Sequence, residues 1–215
     1  MTRLAVFDCD GTLVDGQASV CDAMEMAFDE SGLAVPDRNE IRRSVGLSLP
    51  YAVRGLVPDL EEDQVAEVVA AYKSAFFARR QEGQIYEPLY DGMASLLTSL
   101  QSAGWLLAVA TGKSDRGLNA CLTTHEIDHL FISLQTADRH PSKPHPAMLQ
   151  AALDEADVAP ADAVMIGDTS FDMIMASDAG VRAIGVEWGY HDADELRASG
   201  AADVARDASH LEELL

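Results

Sequence analysis

Two aspartates, Asp8 and Asp10, follow the apolar start of "LAVFDCDGTLVDG" (4–16), with Asp15 close behind. Further along, "WLLAVATGK" ends in Thr111, Gly112 and Lys113, and two prolines bracket Lys143 in "HPSKPHP". "AVMIGDTS" delivers Gly167 and Asp168, with Asp172 one helical turn on. A site built from these residues holds several carboxylates, one hydroxyl and one ammonium. Carboxylates that close repel each other and raise one another's pKa. A hard divalent cation relieves the repulsion, and Mg²⁺ suits a few oxygen ligands completed by water and phosphate. Each motif alone is compatible with a strand end, a turn or a helix N-cap. Their joint occurrence in this order is hard to produce from turns alone.

Such residues need strands to deliver them. The runs at 105–113, 130–138 ("LFISLQTAD"), 163–170 and 181–189 ("VRAIGVEWG") share the first one's near-continuous apolar character. That is the pattern of parallel strands covered on both faces. Helical patterns at 92–104, 146–157 and 171–180 lie between them. The alternation predicts an α/β fold with a doubly wound parallel sheet, whose ligands bind beyond the carboxyl ends of the strands. From Gly16 to Tyr86 only helical periodicity is found, in "SVCDAMEMAFDESG", "RNEIRRSVG" and "EEDQVAEVVAAYKSAFFARRQEG". This predicts an all-helical insertion of about four helices. The expected division is a core of residues 1–15 and 86–215 and a helical cap of residues 16–85.

Composition narrows the partners. Thirty-six acidic residues against fifteen Lys and Arg give a net charge of −21 over 215 residues. That field repels nucleic acid and anionic membrane, so neither is expected as a partner. An anionic substrate needs a metal or a local gathering of cations. Three cysteines without paired spacing point to a reducing compartment. The first residues lack a signal-peptide pattern and no run approaches a membrane span, so a cytoplasmic protein is expected.

In order, "DCDGTLVD", "TGK", "SKPHP" and "GDTSFD" resemble the four motifs of the haloacid dehalogenase-like hydrolase superfamily. Within it the chain is most similar to the phosphoglycolate phosphatase and β-phosphoglucomutase-like branch, whose helical cap follows the first motif directly. The resemblance implies a Mg²⁺-dependent phosphatase that hydrolyses a small phosphorylated metabolite, a phosphoglycolate-type phosphomonoester before others, through an aspartyl-phosphate intermediate. It makes Asp8 the nucleophile and Asp10 the acid and base. Thr111 and Lys143 bind the phosphoryl group, with Gly11 allowing a tight turn beside it and Gly112 letting the backbone approach it. Mg²⁺ is held by Asp8, the Asp10 main-chain carbonyl and Asp168, and Asp172 supports it indirectly.

Other signals compete. "HEIDH" (125–129) matches a zinc-protease pattern, but only a short helical stretch precedes it and no third ligand is evident. His140 and His145 flank Lys143 and read as loop residues. Cys9 points away from the two aspartates and reads as packing. Among the cap cations Arg42, Arg43, Arg54 and Lys73, the segment "RRSVGLSL" is the best specificity candidate, with Arg42 or Arg43 meeting the substrate's distal anion. A phospho-aspartate receiver-like switch is the non-enzyme alternative, but it needs neither Asp10 nor a cap. A dehalogenase does not need Asp10 either. The nearest rival is a sugar phosphomutase, whose relatives carry a histidine where this chain has Val20. The expected oligomeric state is monomer or homodimer.

Overall fold

The computed structural model describes residues 2–215. Residues 4–7 are apolar at every position because β1 (Arg3–Phe7) is buried between two layers of helices. Side chains alternate across a strand. Ala5, Phe7 and Cys9 therefore enter one apolar cluster, and Leu4 and Val6 enter another on the opposite face. The six strands are all parallel, in the order β3 (Ser133–Thr136), β2 (Trp105–Thr111), β1, β4 (Ala163–Gly167), β5 (Arg182–Val186), β6 (Asp203–Ala205). The chain reverses direction across the sheet between β1 and β4, where such sheets open a ligand crevice.

The other α/β helices sort by face. Three of them, α5 (Met93–Ser102), α6 (Asp115–Thr124) and α10 (Ala208–Leu214), cover the Phe7 side. On the Val6 side lie α7 (Ala147–Ala156), α8 (Ser170–Asp178) and α9 (Ala193–Ala198). Two strand expectations change. The run at 130–138 yields only β3, because Asp128–Leu130 closes a 3₁₀ turn ahead of it. The edge strand β6 is three residues long and carries too little pattern to be read.

Between β1 and α5 the chain builds α1 (Gln17–Glu30), α2 (Arg38–Ser44), α3 (Leu49–Leu56) and α4 (Glu62–Gln81). These helices share a core of their own, with Met24, Phe28, Ile41, Val53 and Val68 buried together. Side-chain caps start two of them. The Asp37 carboxylate accepts the Asn39 N–H, and Glu61 and Gln64 form a capping box at α4. The segments that leave and re-enter the α/β core run side by side: Val14 bridges Leu89, and the Asp15 N–H donates to the Pro88 carbonyl at 2.8 Å. This ribbon sets Gly16 and Glu87 next to Asp10.

Candidate active site

Strand ends bring the carboxylates together. One oxygen each from Asp8, Asp168 and Asp172 lies within 4.8 Å of the others, and all three side chains are fully buried. Asp8 Oδ1 accepts the Cys9 N–H at 2.6 Å and lies 3.0 Å from Lys143 Nζ. Its Oδ2 is buried and has no partner. Burial pushes the Asp8 carboxyl up to about 7; Lys143 opposes the rise and Asp172 adds to it. Asp168 is raised well above the usual carboxylate range by burial and by its two acidic neighbours, although Thr12 Oγ1 and the Tyr190 N–H donate to it at 2.8 and 3.0 Å. Three carboxylates face one buried ammonium. This donor set, with an unpartnered oxygen on Asp8, fits a hard divalent cation.

Asp172 and Lys143 form the cluster's back wall. Lys143 Nζ donates to Asp172 Oδ1 at 2.7 Å, while Asp172 Oδ2 accepts the Thr169 N–H and Oγ1 and so caps α8. Burial alone would depress the Lys143 pKa, but Asp172 and Asp8 hold it above the ordinary value. Asp172 thus spends its oxygens on Lys143 and Thr169, which suits the indirect support expected of it.

Asp10 faces a second, separate ionic chain. Lys113 Nζ lies 2.9 Å from Asp10 Oδ1, an ionic contact without a directed hydrogen bond, and 2.6 Å from Glu87 Oε1. Arg80, in the last turn of α4, donates to Glu87 Oε2 at 2.6 Å. Burial raises the Asp10 pKa against the pull of Lys113. For Glu87, burial acts upward but Lys113 and Arg80 hold its carboxyl below the usual range. The chain Asp10–Lys113–Glu87–Arg80 joins β1, β2, the re-entry ribbon and the cap helix. Lys113 belongs to "TGK" and Thr12 lies inside "DCDGTLVD", but Glu87, Arg80 and Tyr190 fall outside every motif of the sequence.

A cavity of ≈ 500 Å³ opens over Asp8 and Asp10, between the α/β core and the helical insertion. Thr111 and Gly112 line its floor, and residues 44–50 and α4 form its roof. The roof loop is seated on the core. The Ser48 N–H donates to Ser142 Oγ at 2.8 Å, and the Arg43 carbonyl meets His191 Nε2 at 3.1 Å. Gly112 has a reason of its own: a Cβ there would lie 2.6 Å from the carbonyl oxygens of Gly46 and Leu47. Gly112→Ala is expected to hold the roof loop off the core. It should lower turnover by about a hundredfold while the melting temperature barely moves, because the atoms nearest the added methyl belong to the roof loop. Unchanged turnover in a phosphate-release assay would show that this seating is dispensable.

Arg42 and Arg43 do not line the cavity. The Arg43 guanidinium pairs with Glu195 on the outer surface at 2.9 Å, and Arg42 carries a buried Nε without a partner. The cavity cations are Lys73, Arg80, Lys113 and Arg116 instead. The rest of "RRSVGLSL" does reach the cavity, through residues 44–49. "HEIDH" is not an α-helix: α6 ends at Thr124, Glu126 has φ +56°, Asp128 and His129 enter the 3₁₀ turn, and His125 Nε2 sits 2.7 Å from the Glu87 carbonyl. His140 pairs with Gln135, and His145 accepts the Ala147 N–H. Cys9 packs in the apolar cluster.

A family model described as haloacid dehalogenase-like hydrolase matches residues 5–186. "Probable phosphatase IndB" of Dickeya dadantii is 34% identical over 204 residues, covering 93% of this chain and 87% of that protein. A phosphoglycolate phosphatase of Colwellia psychrerythraea is 32% identical over 205 residues, covering 92% and 90%. Among solved structures, a haloacid dehalogenase-like family hydrolase from Streptococcus pneumoniae superposes with a TM-score of 0.86 at 27% identity, covering 99% and 98% of the two chains.

Proposed function

The chain belongs to the haloacid dehalogenase-like hydrolase family, and from that premise we propose that it is a Mg²⁺-dependent phosphatase that works through an aspartyl-phosphate. The observation that carries this reading is Asp8, buried at the foot of the cavity with one oxygen held by Lys143 and the Cys9 N–H and the other unpartnered. Asp8 attacks phosphorus in line, the bond to the alcohol oxygen breaks, and Asp10 gives its proton to the departing alkoxide. A water then attacks phosphorus and loses its proton to Asp10, which releases inorganic phosphate and restores Asp8. Lys143 and the Thr111 hydroxyl meet the phosphoryl charge, since this chemistry depends on positioning and electrostatics. Asp8, the Asp10 main-chain carbonyl and Asp168 would hold Mg²⁺, with Asp172 supporting it indirectly; the ion would supply electrostatic stabilisation of the phosphoryl oxygens.

In this reading residues 16–85 are a cap and residues 1–15 and 86–215 the catalytic core. The cap opens and closes about its two connections to the core, where Gly16, just after the Val14–Leu89 bridge, and Gly83, just after α4, absorb backbone changes. Its outer latch, the exposed Arg43–Glu195 pair, is worth under about 1 kcal/mol and breaks readily. Val20 lines the cavity with an apolar side chain where sugar phosphomutases of this branch carry a histidine, which favours hydrolysis over mutase chemistry. No helix among the described residues is long and apolar enough to cross a membrane. With its three free cysteines the protein fits the cytoplasm, as a monomer or homodimer acting on a small phosphorylated metabolite.

The test is phosphate release from a panel of phosphomonoesters with Mg²⁺ and with chelator, phosphoglycolate first because relatives bear that name. Asp10→Asn should slow alkyl phosphates by at least about a hundredfold and nitrophenyl phosphate far less, because a good leaving group needs no acid. Equal losses on both would remove Asp10 from the leaving-group step.

A further inference from the structure

The cavity is much larger than a phosphoryl group and a two-carbon alcohol require. At ≈ 500 Å³ it falls in the range of pockets that enclose drug-sized ligands. Beyond Asp8 and Asp10 its inner wall carries an apolar patch beside Arg80 and Lys113: Met24 from α1, then Tyr72 and Phe76 from α4, whose rings stack with centroids 5.7 Å apart, with Arg80 5.4 Å from the centroid of the Phe76 ring. Toward the mouth stand Lys73 on the cap and Arg116 on α6 of the core. The Arg116 guanidinium sits 4.6 Å from the centroid of the Phe77 ring, a cation–π contact that holds it across the seam.

Among the cations that line the cavity these two stand apart, whereas Arg3, Arg42 and Arg206, equally without an ion pair among the described residues, lie away from it. In a chain with a net charge of −21, other surface cations such as Arg38, Arg54 and Arg182 pair with carboxylates. Deeper in the cavity Arg80 and Lys113 are both tied to Glu87. Among the described residues Lys73 and Arg116 form no ion pair. The rim's one carboxylate, Asp138, accepts the Asp115 N–H. Two cations without an ion-pair partner, one on α4 and one on α6, lining the same cavity as a stacked aromatic pair, make a receptor for an anion carried at a distance from the reacting phosphate.

We propose that the substrate is a phosphomonoester whose alcohol carries a planar or apolar body, bound against Tyr72 and Phe76, and a second anionic group, bound between Lys73 and Arg116. The proposal rests on the phosphatase reading and adds the chemical class of the leaving group. Remote contacts of this kind lend binding energy to the reacting centre and so raise kcat/KM.

Three esters of primary alcohols separate the features at similar leaving-group strength: para-carboxybenzyl phosphate, benzyl phosphate and phosphoglycolate. The expected order of kcat/KM is para-carboxybenzyl, then benzyl, then phosphoglycolate, with the first exceeding the last by at least about tenfold. In Lys73→Ala and in Arg116→Ala, the loss on the para-carboxybenzyl ester should exceed that on the benzyl ester by about fivefold, the upper end for an exposed charge pair. Phe76→Leu should weaken both benzyl esters relative to phosphoglycolate. Phosphoglycolate as the best of the three, or no charge-dependent difference in the lysine and arginine variants, overturns the substrate class while leaving the phosphatase reading intact. Absence of Asp8-dependent phosphate release from every ester overturns the phosphatase reading on which it rests.

Discussion

Asp8→Asn should release no phosphate from any ester, a loss of at least about a thousandfold, and should melt no lower than the wild type in chelator at about pH 8. Both halves follow from the same geometry. The amide cannot form the acyl-phosphate, and no other carboxylate can replace it: Asp168 is held by Thr12 and Tyr190, and Asp172 by Lys143 and Thr169. Yet an asparagine oxygen can still accept from the Cys9 N–H and Lys143, and the substitution removes one of three buried charges that repel each other. A nucleophile kept for chemistry rather than stability loses function without losing the fold. Phosphate release, thermal melting and intact mass after a pulse of substrate give the three readouts. The wild type should show a fraction carrying one phosphoryl group, and the variant none. Turnover of the variant within about tenfold of wild type would remove Asp8 from the chemistry.

The reach of the sequence is clearest in what surrounds these residues. The ends of β1, β2 and β4 were legible because each is a short apolar run that stops at a polar residue, and a parallel sheet must bring those ends to one edge. The helical insertion was legible from its change of period. What escaped was anything decided by contact between distant segments. Thr12 meets a carboxylate 156 positions away, and Glu87 finds Lys113 and Arg80 in a connection that has no periodicity. The basic pair Arg42 and Arg43 stood out in the sequence, but Glu195, 152 residues on, holds Arg43 outside the cavity. Arg116 carried no signal at all until α6 placed it against Phe77. Likewise Gly189 closes the apolar run 181–189, whose strand ends at Val186, and nothing in that run shows that a Cβ at Gly189 would lie 2.2 Å from the Asp168 side chain. Local pattern sets the elements and their polar ends. Side chains that complete a site from other elements depend on the packed fold.

Removing the cation should be felt in stability as well as in rate, and the direction depends on pH. Asp8 titrates at about 7 in the folded metal-free protein against an ordinary value of 3.8, and Asp168 is raised as well. A carboxyl raised by folding favours the native state while it is protonated, and that contribution is lost as pH climbs through the folded pKa. Metal-free protein should therefore melt lower at about pH 8 than at about pH 5.5, where these carboxyls keep their protons. Mg²⁺ competes with those protons for the same oxygens. Its stabilising effect should be large at the higher pH and small at the lower one, as for any ligand that binds only the native state. Asp168→Ala takes one carboxylate out of the cluster. It should cut phosphate release by at least about a hundredfold and abolish the Mg²⁺-dependent rise in melting temperature at the higher pH. Because the melting readout needs no turnover, it separates loss of the cation from loss of catalysis by other routes. A variant that keeps the full Mg²⁺ response, or a wild type whose Mg²⁺ response is the same at both pH values, would place the cation away from the Asp8–Asp168 cluster. Zinc-dependent activity surviving Asp168→Ala would have the same consequence, and would send the search back to His125 and His129.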